Sequence, residues 1–158
     1  MTEVFIISDL DKCTGCGICE FACSAKKEKK FNPLLSCIRL VKDEPLITMS
    51  LSCRLCEKPP CVAVCPTKAL KKSENTGVIM VKEDRCIGCR WCLQACPFGG
   101  LGIHPTKKSV FVCDLCEGDP FCIKLCPKEA LELMTQETME EKARISTVKK
   151  LLQSISST

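Results

Sequence analysis

The 158-residue chain has no tyrosine, a single tryptophan, a single histidine and only six phenylalanines. So thin an aromatic supply cannot fill an ordinary core, because aromatic side chains normally carry much of the buried area. The aliphatic residues do not make good the shortfall. Hydrophobic residues reach 46%, but 17 of them are cysteines. Without these the apolar share falls to about 35%, against roughly half in a typical domain. Something other than side chains must occupy the middle of the molecule.

Other absences narrow the field further. No basic segment followed by an apolar stretch opens the sequence, and no twin-arginine pair occurs, so a cytoplasmic location is expected. The longest uncharged run, Trp91 to Thr106, is broken by cysteine, glycine, proline and histidine, so no membrane span is expected. Neither a G-x-G-x-x-G nor a Walker loop is present, which argues against a nucleotide cofactor. With one histidine and no recognisable nucleophile set, the chain shows no catalytic centre of its own. Seventeen cysteines without an export signal point to metal rather than to disulfides.

What is there is a register. The first block is Cys13-x2-Cys16-x2-Cys19-x3-Cys23, and the second is Cys53-x2-Cys56-x4-Cys61-x3-Cys65-Pro66. The third runs Cys86-x2-Cys89-x2-Cys92-x3-Cys96-Pro97, and the fourth Cys113-x2-Cys116-x5-Cys122-x3-Cys126-Pro127. Only Cys37 stands outside, and a buried small hydrophobe is its expected role. Three closely spaced thiolates can wrap one loop around three corners of a cubane, while a fourth, followed by proline, reaches the neighbouring cluster. Structural zinc prefers two separated pairs closing one tetrahedron, which leaves the third cysteine of every block without a task. Covalent haem needs C-x-x-C-H, which is absent, and a Rieske centre needs two histidines, where only His104 is available. Four [4Fe–4S] clusters are the expected cofactors.

The blocks are internal repeats, and Asp11-Lys12 and Asp84-Arg85 extend the likeness upstream of two of them. Short β-favouring runs flank them at Val4–Ser8, Cys37–Val41, Gly77–Val81, Ser109–Cys113 and Ala130–Leu133. The segments "PTKAL" and "PKEAL" predict short helices started by the proline. Trp91, between two cysteines, is expected to shield a cluster or simply to pack, and His104 to be a loop residue. The basic run Ala25–Lys30 predicts a solvated helix face, with an acidic partner as the other reading. Thr138-x-x-Glu141 predicts a capping box, followed by an apolar face of Val148, Leu151, Leu152 and Ile155 with Lys149 and Lys150 late in the helix. That face would cover either the protein's own body or a partner subunit.

The layout resembles that of bacterial ferredoxins, and over roughly residues 3 to 133 it is similar to the four-cluster ferredoxin-type subunits of multisubunit oxidoreductases. The stretch "CTGCGICEFACS…FNPLLSCIRL" resembles compact members that serve tungsten aldehyde oxidoreductases and carbon monoxide dehydrogenase, which usually carry arginine where this chain has Cys37. The resemblance implies an α+β fold of nested 2[4Fe–4S] ferredoxin-like modules with short hairpins and helices. It places the cluster domain at 1–134, with an inner module at about 45–105 and an outer module from 1–44 and 106–134. A C-terminal amphipathic helix would follow at 135–158.

It further implies crossed ligation. Cys13, Cys16 and Cys19 would share a cluster with Cys126, and Cys113, Cys116 and Cys122 one with Cys23. In the inner pair, Cys53, Cys56 and Cys61 would join Cys96, while Cys86, Cys89 and Cys92 would join Cys65. Ser24 stands where the other blocks have proline, so the helix there would start differently. The implied role is non-catalytic electron transfer between a tungsten- or molybdenum-pterin oxidoreductase subunit and an external carrier. That carrier would be a soluble ferredoxin or a flavin- or NAD-linked subunit. A free polyferredoxin, or a subunit of a carbon monoxide dehydrogenase, formate dehydrogenase or hydrogenase, is the alternative. Sixteen thiolates outweigh the formal +4 and four oxidised cores, leaving the loaded protein at about −4. The 23 basic residues therefore read as counter-charge, not as a nucleic-acid footprint.

Overall fold

The structure is a computed structural model describing residues 4–43 and 47–156. The side chain of Lys150 and the expected boundaries at residues 1, 44, 45 and 158 lie outside the described residues. The architecture is α+β, with short hairpins, short helices and one longer C-terminal helix.

The β-branched run Val4–Ser8 forms β1 and pairs antiparallel with β8, Leu131–Thr135, from Val4 opposite Thr135 to Ser8 opposite Leu131. The first and last strands thus meet and close the cysteine-bearing body. Three further hairpins lie between them: β2 (Arg39–Asp43) with β3 (Ile47–Leu51), β4 (Leu70–Lys72) with β5 (Ile79–Val81), and β6 (Leu101–Ile103) with β7 (Val110–Val112). An isolated two-stranded hairpin is marginal in water, so each needs a surface to pack on. Here that surface is largely sulfur. Cys19, Cys23, Cys53, Cys61, Cys92, Cys113 and Cys122 are buried in one cluster with Ile6, Ile38, Leu55, Leu70, Ile79, Val110 and Leu131.

The helices are α1 (Ile18–Glu28), α2 (Pro60–Ala63), α3 (Trp91–Ala95), α4 (Phe121–Lys124) and α5 (Gln136–Ser156). Helix α1 packs on α4, and α2 on α3. The short helices precede the fourth cysteine of their blocks instead of following it. After Cys65 and Cys126 the chain turns into β4 and β8, because Lys68 (φ 52°) and Glu129 (φ 48°) adopt left-handed backbone that a helix cannot continue. Block one differs. Ser24 replaces proline and is fully buried, its hydroxyl donating to the Phe21 carbonyl and accepting from the Asn32 N–H. With no proline to stop it, α1 runs through Cys23 for another turn.

Helix α5 begins three residues earlier than the expected box. Thr135 caps it, its hydroxyl accepting the Thr138 N–H (3.2 Å) while the Thr138 hydroxyl accepts the Thr135 N–H (2.9 Å). Threonine does here what glutamate does in the expected motif. Arg54 ties the start of α5 to the body: its guanidinium stacks on Phe5 (4.7 Å) and Phe98 (5.7 Å), and its Nη1 meets Met139 Sδ at 3.4 Å. Beyond that point the apolar face is bare. Ile145, Val148, Leu151, Leu152 and Ile155 are about half or more exposed, so the described residues of the protein's own body do not cover it. No helix among the described residues is long and apolar enough to cross a membrane.

Candidate metal centres

Each cysteine loop has the same local device. The residue before the second cysteine of every block is left-handed: Gly15 (φ 69°), Leu55 (φ 49°), Gly88 (φ 67°) and Leu115 (φ 59°). Such turns gather successive backbone N–H groups into a concave nest suited to an anionic guest. Glycine adopts this backbone freely. Leucine does so at a strain of about 1–3 kcal/mol, and Leu55 and Leu115 offset it by burying their side chains in the core.

A second device recurs at the fourth cysteine. Ala69 N–H donates to Cys65 Sγ and Ala130 N–H to Cys126 Sγ, both at 3.3 Å. The underlying sequence is C-P-x-x-small, with the residue before the small one left-handed: Lys68, Gly99 and Glu129. Hydrogen bonds from N–H to sulfur favour the thiolate and tune a bound cluster's potential. Sequence reasoning missed these donors, although the spacing was visible in three blocks. Gly100 fills the small position in block three because a Cβ there would stand 2.7 Å from Cys53 Cα. Gly100→Ala should therefore push the two loops apart and lower stability by about 1–3 kcal/mol or more. Thermal unfolding of the loaded protein measures this, and an unchanged midpoint would contradict the close packing.

The blocks interleave across the molecule. Cys13, Cys16, Cys19 and Cys126 line one small, mostly apolar cavity with Leu40, Ser50 and Leu131. Burial raises the Cys19 thiol, against the 3.3 Å hydrogen bond with Ser50 Oγ. Burial also pushes Cys53 and Cys61 up to about 11, and the charges of Cys56 and Cys96 add to this at both. Cys113 is pushed up to about 12, first by burial and then by Cys23. Cys122 is raised by burial and by Cys113, Cys23 and Cys116 together. At Cys92 burial leads, followed by Cys89 and Cys65. Cys86 follows a short 3-10 turn, Glu83–Arg85, half-buried at the edge of the same core. The cavity thus brings Cys126 to Cys13, Cys16 and Cys19, while Cys23 acts on Cys113, Cys116 and Cys122, Cys96 on Cys53 and Cys61, and Cys65 on Cys92.

These cysteine groups fit an iron–sulfur cluster better than a single ion. Tetrahedral zinc draws four thiolates to about 2.3 Å from one centre. Among the described residues no three Cys, His, Asp or Glu side chains converge closely enough to hold one ion. All-thiolate donor sets in apolar surroundings, spread wider than one ion requires, suit a bulky iron–sulfur core.

Cys37 stays outside the quartets yet touches one. Its backbone N–H donates to Cys23 Sγ at 3.3 Å. The hydrogen bond from the Cys37 thiol lowers Cys23 to about 6 despite burial, while that same bond and burial push Cys37 far up. Cys23 is the member held as thiolate, and Cys37 the one held as thiol. A cavity of roughly 300 Å3 opens beside them, lined by Lys27, Cys37, Asp114, Glu28 and His104. His104 is structural: its Nδ1 accepts the Thr106 and Lys107 N–H groups, bracing the β6–β7 turn, and its ring meets Phe111 edge-on at 6.2 Å. Trp91 is about half exposed and stands on the surface at the start of α3. The basic run is not uniformly solvated, because Lys27 turns inward.

Comparison with known proteins agrees with this chemistry. Residues 45–136 match the 4Fe-4S dicluster domain family, and residues 5–25 match the 4Fe-4S binding domain. The chain is 40% identical over 136 residues to the polyferredoxin-like subunit of aliphatic sulfonate oxidoreductase from Pyrococcus furiosus, covering 84% of this chain and 79% of that protein. It is 38% identical to the putative electron transport protein YsaA of Escherichia coli, covering 86% and 92%. A chain of the active-site complex BamBC of benzoyl coenzyme A reductase shares the fold, with a TM-score of 0.51, 24% identity and coverage of 100% and 99%. The chain belongs to the ferredoxin-type 4Fe-4S dicluster family and is an iron–sulfur electron-transfer protein, not a catalytic subunit.

Proposed function

We propose that this chain holds four [4Fe–4S] clusters in crossed fashion and serves as the electron-transfer subunit of a hetero-oligomeric oxidoreductase. The observation that carries the reading is the one cavity lined by Cys13, Cys16 and Cys19 together with Cys126, and the influence of Cys96 on Cys53, Cys65 on Cys92 and Cys23 on Cys122 supports it. The ligand sets are Cys13, Cys16, Cys19 and Cys126; Cys113, Cys116, Cys122 and Cys23; Cys53, Cys56, Cys61 and Cys96; and Cys86, Cys89, Cys92 and Cys65. The β1–β8 pairing supports division into an inner module, about 45–105, and an outer one from both flanks.

A bound [4Fe–4S] cluster supplies one-electron exchange at a potential set by its surroundings. The chain's own residues do the rest. The left-handed loops bring backbone N–H groups together as nests, and Ala69, Ala130, Leu55 and Cys37 donate N–H bonds to cysteine sulfur. Apolar residues such as Ile38, Leu70 and Leu131 keep water from the thiolates. Cys16 and Cys89 are exposed, which gives two of the quartets an edge near the surface.

The partner is a tungsten- or molybdenum-pterin oxidoreductase acting on aldehydes or related compounds, and the location is cytoplasmic. The relative named as a subunit of a sulfonate oxidoreductase supports a catalytic partner, and so does the uncovered apolar face of α5, since such patches mark interaction sites. Affinity purification from the native source under anaerobic conditions tests this. The expected product is a brown complex containing a larger pterin-bearing subunit, and Val148→Ser with Leu152→Ser should release that subunit while the iron content stays unchanged. A monomer that purifies alone would instead establish a free polyferredoxin.

A further inference from the structure

The reading above leaves one partly buried charge without a task. Lys27 lies in the last turn of α1, where a lysine ordinarily extends into water. Here it turns inward. Its Nζ donates to the Val112 carbonyl at 3.0 Å and to Cys37 Sγ at 3.4 Å, and it pairs with Asp114 Oδ2 at 3.2 Å. All three partners adjoin one quartet: Val112 and Asp114 flank Cys113, and Cys37 donates its N–H to Cys23 Sγ. Burial works against the ammonium, yet the Asp114 carboxylate beside it and the hydrogen bond to Cys37 Sγ hold the pKa of Lys27 above its ordinary value. Its charge is felt at Cys113 and Cys116, where it favours the thiolate.

We propose that Lys27 is a potential-setting residue: a fixed, partly buried cation that raises the reduction potential of the cluster held by Cys23, Cys113, Cys116 and Cys122. Asp114 is its counterweight. The inference rests on the ligand set assigned above. Each one-electron reduction adds a negative charge to a cluster, so a nearby cation favours the reduced state and a nearby carboxylate disfavours it. At partial burial the field is weakly screened by salt, and at an effective dielectric of about 20 a unit charge a few ångströms away outweighs thermal energy several-fold. The length and position of Lys27 are also specific. Its neighbour Lys26 points outward, lying over the Phe121 ring at 6.0 Å. Its three partners hold the Lys27 ammonium in one place, so the charge acts on one cluster instead of being spread over the surface.

The test is an EPR-monitored redox titration of the loaded protein carrying Lys27→Gln, and separately Asp114→Asn. Asparagine keeps an oxygen that can accept the Cys116 N–H, as Asp114 Oδ1 does at 3.0 Å, so the loop keeps its shape. In Lys27→Gln the reduced-to-oxidised ratio of one cluster at fixed potential should fall about tenfold, which is about 59 mV downward for a one-electron couple. In Asp114→Asn the same signal should move upward, and iron content should stay unchanged in both. Opposite shifts of one signal cannot come from general loosening, which would move both variants alike. If every midpoint stays in place, or both variants shift the same way, the inference falls while the ligand set stands. If the signal they shift survives intact in Cys122→Ser, the ligand assignment itself falls and takes the inference with it.

Discussion

Stripping iron from this protein under anaerobic conditions with a strong chelator should abolish its cooperative unfolding transition. The expectation follows from what lies in the core. Among the described residues the buried cluster holds eight cysteines against seven isoleucines and leucines, and the hairpins have only two strands each. Two-stranded ribbons are not stable alone, and the apolar share without cysteine is about 35%, too small to replace the missing centre. Without iron, thiols that burial holds protonated, such as Cys53 and Cys61 at about 11 and Cys113 at about 12, line spaces with nothing to bridge them. Metal-binding energy is then folding energy. Circular dichroism and amide hydrogen exchange should show the hairpins lost and only fraying helix, chiefly α5, remaining. A chelated protein that keeps exchange protection across β1 and β8 would show that side-chain packing suffices.

The proposed crossing of the blocks can be read from iron counts in paired variants. Single replacement of Cys96 by serine should lower iron from about sixteen to about twelve per chain. Adding Cys53→Ser should cost nothing further, because both cysteines serve one cluster. Adding Cys86→Ser instead should leave about eight, because two clusters are then broken. If each block held its own cluster the pattern would invert, with the pair Cys86 and Cys96 leaving about twelve and the pair Cys53 and Cys96 about eight. The two ligation schemes give opposite results in the same four proteins. Behind the expectation stand the influence of Cys56 and Cys96 on Cys53 and Cys61, and that of Cys89 and Cys65 on Cys92.

The sequence carried the cysteine positions, the repeat and the α+β class, because metal ligation demands fixed spacings that survive in a linear reading. Strand β1 is legible in full, since Val4–Ser8 is a run of β-favouring residues. The other predicted strands came within a few residues of their places. Strands β3, β4 and β6 gave no usable signal: Leu70–Lys72 and Leu101–Ile103 carry lysine or glycine, whereas the equally short β5 and β7 are built wholly of Ile, Met, Val and Phe. The helices expected after Cys65 and Cys126 failed for a local reason. Proline there opens a tight turn whose N–H groups bond to sulfur, and a left-handed residue follows. Helix propensity could not reveal a competing acceptor that lies in the cluster cage.

Lys27 was less legible still. In "AKKEKK" it is one of several lysines, and nothing in the run marks which one faces inward. Only the placement of Cys37 and Asp114 does so, and these come from segments distant along the chain. The cap of α5 shows the same limit on a smaller scale. Thr135 and Thr138 form the reciprocal pair, whereas the familiar glutamate at the third position drew attention to Thr138 and Glu141.

The most direct test is elemental and acid-labile sulfide analysis of anaerobically purified protein together with its Mössbauer spectrum. The account predicts about sixteen irons and about sixteen sulfides per chain, all in cubane form. Colourless protein that holds zinc at one or two atoms per chain, and keeps its fold, would contradict it.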